Sequence, residues 1–143
     1  MQTDGTQSVH ASCVAYEGKG LLILGASGCG KSTLALQFMA LGCDLVADDR
    51  VILSVAHDSL IASCPQAITG LIEARGVGIL NAVSAPAARV HIVVDLDKVE
   101  QDRLPQRRFI TRLGQQIPLI HRVDGVHFVP AILQLLKAGW STR

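Results

Sequence analysis

Aromatic residues are scarce in this chain, at 3% of 143 positions, so its core must be assembled from Leu, Ile, Val and Ala. Net charge is almost absent as well, with 13 Lys and Arg against 12 Asp and Glu leaving +1. No field of one sign is available to grip a nucleic-acid backbone or an anionic membrane, so no nucleic-acid partner is expected. Nor does any apolar run approach the ~18 residues that span a bilayer. The longest runs, 21–24 and 92–94, have strand length, and no membrane insertion is expected. The opening MQTDGTQSVH has no basic segment leading into an apolar one, so no secretory signal is read. Four cysteines (Cys13, Cys29, Cys43, Cys64) form no C-x-x-C pair and have no His at zinc-finger distance. Disulfides and structural zinc are disfavoured, and free thiols in a reducing cytoplasm fit instead. What is present is a large apolar fraction, 49% against 17% charged, which excludes disorder along the whole length. The length suits one domain.

Periodicity orders the chain. Residues 1–8 are polar and read as a loose N-terminal segment, with a single domain over 9–140. Strand alternation runs over 9–16, and 21–24 is a continuous apolar run of the buried-strand kind. Leu34, Phe38 and Leu41 recur at helical spacing before Gly42, predicting a helix over 31–41. A short strand over 44–47 ends in two aspartates, and 51–56 with 60–64 flank a hairpin turn at His57-Asp58-Ser59. The stretch 65–81 reads as a glycine-punctuated loop and 83–89 as a mobile Pro/Ala-rich one. Strands follow at 90–96, 109–113 and 117–120. Pro130 fits the first turn of a last helix with Ile132, Leu133 and Leu136 as its stripe and Gly139 as its stop. The expected fold class is α/β: a mixed, β-rich sheet around a central P-loop helix, with a second helix packed at the end.

Chemistry concentrates in Gly25-Ala26-Ser27-Gly28-Cys29-Gly30-Lys31-Ser32, followed by Thr33, which satisfies G-x-x-x-x-G-K-[ST] between a strand and a helix. Glycines let successive backbone N–H groups converge on phosphate oxygens without a Cβ in the way. The helix beginning at Lys31 adds its N-terminal partial positive charge. The Lys31 ammonium suits the β- and γ-phosphate oxygens, and the Ser32 hydroxyl is a hard ligand for Mg²⁺. Nucleotide binding is the reading. The loop alone does not say whether a phosphoryl group is transferred, because ATPases, kinases and sensors share it.

Asp48 and Asp49 close the next strand, where carboxylates face the ligand crevice of an α/β sheet. Alternation keeps them from aiming at one atom: one can accept a hydroxyl proton while the other approaches a metal or a basic partner. The bland alternative is a turn-forming pair before Arg50. The segment 73–81, EARGVGILN, can set Glu73 on Mg²⁺ and Arg75 on a phosphoryl oxygen, or can be an ion pair steadying a glycine turn. The cations Lys98, Arg103, Arg107, Arg108 and Arg112 read as a solvated charged face ahead of a docking site for an acidic partner.

Together, His10, GASGCGKS at 25–32, LVADDRV at 45–51 and EARGVGILN at 73–81 resemble the catalytic domain of bacterial HPr kinase/phosphorylase, in order and spacing over 9–82. The resemblance implies ATP- and Mg²⁺-dependent phosphorylation of a serine on the phosphocarrier protein HPr of the sugar phosphotransferase system, and so regulation of carbohydrate metabolism. It also implies the reverse dephosphorylation by inorganic phosphate, a nucleotide site like that of phosphoenolpyruvate carboxykinases, and homo-oligomeric assembly. Carried over, Lys31 binds phosphate, Ser32 and Glu73 hold the metal, and Asp48 is the general base with Asp49 beside it. His10, on the preceding strand, lies near Asp48 and tunes its charge, and Arg75 stabilises transferred charge. Asp102-Arg103-Leu104 resembles the family's DRLG segment, with Pro105 in place of the glycine. The expected chain is a catalytic domain without the N-terminal domain of longer members. In place of their glycine-arginine-asparagine loop, 117–126 runs straight into the last helix, which resembles the short variant found in alphaproteobacteria. The rival reading is a nucleotide-sensing regulatory module that binds ATP or ADP without transfer.

Overall fold

The computed structural model describes residues 5–142. In chain order the elements are β1 (Gln7–Val9), β2 (Ala11–Tyr16), β3 (Lys19–Leu24), α1 (Lys31–Ala40), β4 (Asp44–Ala47), β5 (Val51–Ala56), β6 (Ser59–Ser63), β7 (Leu71–Ala74), β8 (Gly78–Asn81), β9 (Ala87–Val99), β10 (Arg108–Arg112), β11 (Gln115–Arg122) and α2 (Phe128–Ala138). Nine strands form one mixed sheet with the path β1-β5-β6-β9-β3-β2-β4, and β7 pairs with β8 in a separate hairpin. The 13-residue β9 is its spine. β3 runs parallel along one edge of it. The other edge is shared: β6 takes the first residues antiparallel, and β11 the later ones in parallel, with β10 outside.

Hairpin turns set much of this register. β2–β3, β5–β6 and β10–β11 are each joined by two residues with positive φ at both: Glu17-Gly18, His57-Asp58 and Leu113-Gly114. That sign matches the twist of the flanking strands.

The curled sheet is apolar on both faces, which is why β2 and β3 carry few polar residues. Val14, Leu21, Ile23, Leu45, Ile92 and Val94 meet α1 and α2 on one face. Cys13, Leu22, Val46, Leu53, Leu60 and Val93 fill the other. Burial raises the Cys13 thiol to about 12, so it behaves as a small core hydrophobe. In β9, Val90 and Ile92 share parity yet lie in different clusters, because a bulge between Gly20↔Val90 and Leu21↔Ile92 inserts His91 and flips the strand. The second helix buries Phe128, Ile132, Leu133 and Leu136 against the first face. Each full burial of this kind stabilises by roughly 1.5–3 kcal/mol. Its C-terminus is tied to β3 where Lys19 Nζ donates to Leu136 O at 3.2 Å.

Several local expectations change. The strand expected over 9–16 breaks at His10, and Gln7 and Ser8, expected to be loose, pair with β5. Residues 1–4 of that segment lie outside the described residues. The Pro/Ala stretch 83–89 is not a free loop. Val83 O and Leu45 O both accept backbone bonds there, and Ala87–Arg89 already belongs to β9. Within the stretch 65–81, expected as a loop, residues 71–81 form the β7–β8 hairpin. Among the described residues no helix is long and apolar enough to cross a membrane.

Candidate functional site

The loop between β3 and α1 is shaped from within. Gly25, Gly28 and Gly30 all have positive φ, and a Cβ on Gly25 would sit 2.5 Å from Cys29 Sγ and 3.2 Å from Leu96 Cβ. Lys31 is only 6% exposed, and its ammonium donates to Gly25 O at 2.7 Å and Ala26 O at 3.0 Å. The helix starts on Gly30 with no side-chain cap and no acidic residue in its first turn, so its leading N–H groups are unclaimed by the described side chains. That is the electrostatic setting an anion needs. Asp97, near the end of β9, accepts the Ala26 N–H at 3.0 Å and roots the loop.

Register delivers the rest. Pairing Cys13 with Ala47 carries β2 and β4 on to Ser12 and Asp48, and pairing Val9 with Val51 brings His10 up to the Asp49-Arg50 turn. Asp48 is buried, and its Oδ1 accepts from Ser12 Oγ at 2.8 Å and Ser32 Oγ at 2.6 Å. Its Oδ2 accepts the Glu73 N–H at 3.2 Å. Asp49 follows in a γ-turn, with φ +70 and Arg50 N–H bonded to Asp48 O at 2.8 Å. That conformation is rare and strained, and it turns the Asp49 side chain outward. Its Oδ1 lies 3.5 Å from His10 Nδ1, with the carboxylate 69% exposed.

One cleft of about 250 Å³ therefore gathers His10, Ser27, Gly28, Gly30, Lys31, Ser32, Thr33, Asp49, Glu73 and Arg75, which the sequence singled out. Gly25, Ala26 and Cys29 shape the loop instead of lining the cleft, and Asp48 lies behind Ser32. One expectation is corrected: His10 sits at the break between β1 and β2, and its carboxylate partner is Asp49, not Asp48. Ser12 and Asp97 were missed. Ser12 is a polar residue inside an apolar strand, and Asp97 lies near the end of a strand paired with β3, where the crevice rule applies.

The donor set fits Mg²⁺. Ser32 Oγ and the Asp48 carboxylate are adjacent hard oxygens, and Glu73 is on the cleft wall. No group of three or more His, Cys, Asp or Glu forms a cation cage among the described residues. A metal held by one or two protein oxygens plus phosphates and water is the usual arrangement for Mg²⁺.

Two of the five cations of the basic cluster have side-chain partners, while Lys98, Arg103 and Arg107 are exposed as a solvated face. Arg108 donates Nε and Nη2 to Glu100 at 3.1 and 3.0 Å, and Arg107 stacks 4.1 Å from the Trp140 ring centroid. These pairs tie down the ends of the 100–108 connection.

Comparison with known proteins gives a consistent pattern. The family described as HPr Serine kinase C-terminal domain matches residues 2–122. The HPr kinase/phosphorylase of Geobacillus thermodenitrificans is 34% identical over 86% of this chain and 48% of its own length. HPr kinase/phosphorylase 1 of Oceanobacillus iheyensis is 39% identical over 85% of this chain and 47% of its own. The chain thus spans about half the length of the curated relatives it matches. The solved Hpr(Ser) kinase/phosphatase of Coxiella burnetii superposes with a TM-score of 0.79 at 29% identity, covering 92% of this chain and 88% of that one.

Proposed function

The chain belongs to the HPr serine kinase C-terminal domain family, and from that premise we propose that it is an ATP- and Mg²⁺-dependent protein kinase that phosphorylates a serine of an HPr-like phosphocarrier. The role is cytoplasmic control of carbohydrate metabolism through the sugar phosphotransferase system, with phosphorolysis as the reverse reaction. One observation supports the reading: Lys31, Ser32, Asp49, His10 and Arg75 all line a single cleft.

The nucleotide's phosphates take the loop amides, and Lys31 exchanges its own loop carbonyls for phosphate oxygens. Ser32, Asp48 and Glu73 would hold Mg²⁺, which neutralises charge on the β- and γ-phosphates when bound. The serine hydroxyl attacks the γ-phosphorus, ADP leaves, and a carboxylate takes the proton. Asp48 has both oxygens engaged by three donors, whereas Asp49 is exposed in the cleft beside His10. We therefore assign the proton to Asp49, with His10 orienting it and Arg75 answering charge on the transferred group. Asp48 positions Ser32. Assembly of several copies, as the family resemblance implies, is part of the same proposal and is read by light scattering.

The test is incubation of the protein with labelled ATP, Mg²⁺ and purified HPr from the same organism. Label on one serine of the carrier is the expected result, and Lys31→Ala should lose both nucleotide binding and transfer. Tight MgATP binding with an unlabelled carrier would replace this reading with the nucleotide-sensing module.

A further inference from the structure

The place of the Lys31 ammonium is set by groups outside the cleft it serves. It donates to Gly25 O at 2.7 Å and to Ala26 O at 3.0 Å, and each carbonyl is fixed by a different partner. Ala26 O belongs to a turn, because it also accepts the Cys29 N–H at 3.1 Å. Gly25 O belongs to the peptide unit whose other end is the Ala26 N–H. No cis peptide occurs among the described residues, and in a trans unit the carbonyl and the N–H point opposite ways. The Ala26 N–H donates to Asp97 Oδ1 at 3.0 Å, so the carbonyl of the same plane is turned toward Lys31.

The sheet brings Asp97 to that position. β9 runs parallel to β3 with Leu24 opposite Asp95, and two residues further on Asp97 reaches the start of the loop. Leu96, between the two aspartates, turns the other way into the core at 5% exposure. Asp95 Oδ1 accepts the Asp97 N–H at 2.9 Å and steadies the strand end. Gly25 permits the close approach, since a Cβ there would lie 3.2 Å from Leu96 Cβ and 3.6 Å from Asp97 Oδ1. Asp97 itself lines a separate groove with Gly25 and Ala26, not the cleft of Lys31 and Ser32.

Carboxylate, peptide and ammonium thus form one chain of hydrogen bonds. The opposite charges at its ends polarise the peptide in the same sense, which strengthens both bonds beyond two neutral ones. We propose that Asp97 is a positioning residue for phosphate binding: it orients the Gly25–Ala26 peptide, and through that peptide it holds the Lys31 ammonium at the cleft wall. Exchanging Gly25 O for a phosphate oxygen replaces one acceptor by another at an ammonium already in place. With Asp97 removed the peptide can rotate, and the flexible lysine stem must be ordered when the ligand arrives. The consequence for the nucleotide rests on the nucleotide reading of the P-loop, whereas the placement of Lys31 does not.

Asp97 is exposed, so Asp97→Ala should keep the parental circular dichroism spectrum. In nitrogen-15 spectra recorded without nucleotide, the Lys31 ammonium, identified by its loss in Lys31→Arg, should give a slowly exchanging signal. Asp97→Ala should abolish that signal and move the Ala26 amide proton upfield. Asp97→Asn keeps an acceptor oxygen and should retain both. In transfer kinetics Asp97→Ala should raise KM for MgATP about tenfold with kcat changed less than threefold, and Asp97→Asn should stay within about threefold of the parent in both. A parental ammonium signal or a parental KM in Asp97→Ala overturns the proposal. Equal impairment in Asp97→Asn and Asp97→Ala also overturns it, because the residue would then act as a charge and not as the acceptor that turns the peptide. If the parent neither binds MgATP nor transfers phosphate, the nucleotide reading fails, and the nucleotide-free spectra still decide whether Asp97 places Lys31.

Discussion

Replacing each aspartate of the Asp48-Asp49 pair by asparagine separates two roles that adjacent carboxylates can hide. Three donors converge on Asp48: the hydroxyls of Ser12 and Ser32 and the backbone N–H of Glu73. An amide keeps the shape but has one acceptor oxygen. The hydroxyls can rotate to accept from the new NH₂, whereas the Glu73 N–H cannot reverse, so the oxygen must turn toward Glu73. The serines then exchange bonds to a carboxylate for neutral ones, a loss of about 2 kcal/mol in all. For a chain of 143 residues the unfolding entropy near the midpoint is about 0.3 kcal/mol/K, so the melting temperature should fall about 7 °C. MgATP affinity should fall with it, because Ser32 loses its anchor. Asp49→Asn should behave in the opposite way. Its side chain is 69% exposed, and asparagine tolerates positive φ as well as aspartate does. Stability should move by less than about 0.5 kcal/mol, and MgATP binding should persist. Transfer to the carrier should drop by about 10²–10⁴, the usual worth of a general base. Thermal denaturation, calorimetry and a single-turnover transfer assay on both variants decide the matter. An Asp48→Asn protein of parental stability and MgATP affinity that fails only in transfer, with Asp49→Asn transferring at the parent rate, would refute this division and return the proton to Asp48.

Two further outcomes follow from local geometry. Gly25→Ala should weaken both stability and nucleotide binding, since its Cβ would meet Cys29 Sγ at 2.5 Å; adding Cys29→Ala should recover about 1 kcal/mol in a double-mutant cycle, and purely additive effects would show that the clash is not the cause. The Arg108 fork, helped by the Gln101 and Asp102 N–H groups and opposed by desolvation, lowers the Glu100 carboxyl from 4.5 to about 2. Its contribution is therefore complete above pH 4.5 and disappears as pH falls through about 2. Urea titrations should show the stability gap between the parent and Glu100→Gln closing across that window, and a gap that stays constant down to pH 2 would contradict the pairing.

How far the sequence reaches depends on which forces are local. The P-loop could be read directly, because strand, glycines, lysine and helix are contiguous and each is needed where it stands. The Asp-Asp pair could be located at a strand end for the same reason. Which of the two faces the cleft could not be read. That depends on a bulge pairing Cys13 with Ala47 but Val14 with Leu45, and on the γ-turn at Asp49. Neither leaves a periodic trace. Ser12 and Asp97 act through pairing over 36 and 71 residues, and no window of local alternation carries that information. The β7–β8 hairpin escaped because apolar Leu71 and Ile79 stand exposed next to buried Ile72 and half-buried Leu80, so in–out alternation of the backbone is not matched by polar–apolar alternation in the sequence. The start of β9 escaped because proline and alanine at 85–88 imitate a loop, although Ala88 is buried against β6.

The hydrogen bonds within the loop also argue for the kind of anion it can take. Lys31 is held by two carbonyls of its own loop, and Asp97 holds the Ala26 N–H from the other side. The loop is thus held by contacts within its own chain, and binding of an anion would be an exchange of hydrogen bonds. An incoming ligand must replace both carbonyls at the ammonium while reaching the unclaimed amides at the start of α1 and the Ser32 hydroxyl, now bonded to Asp48. A lone carboxylate or a single small anion has too few oxygens to do this at once. A chain of linked phosphates has enough, and in the proposed reading its far end would lie in the cleft that Asp49 and His10 also line. The same contacts that hold the loop in shape would therefore favour a polyphosphate over a single small anion, as the proposed kinase reading requires.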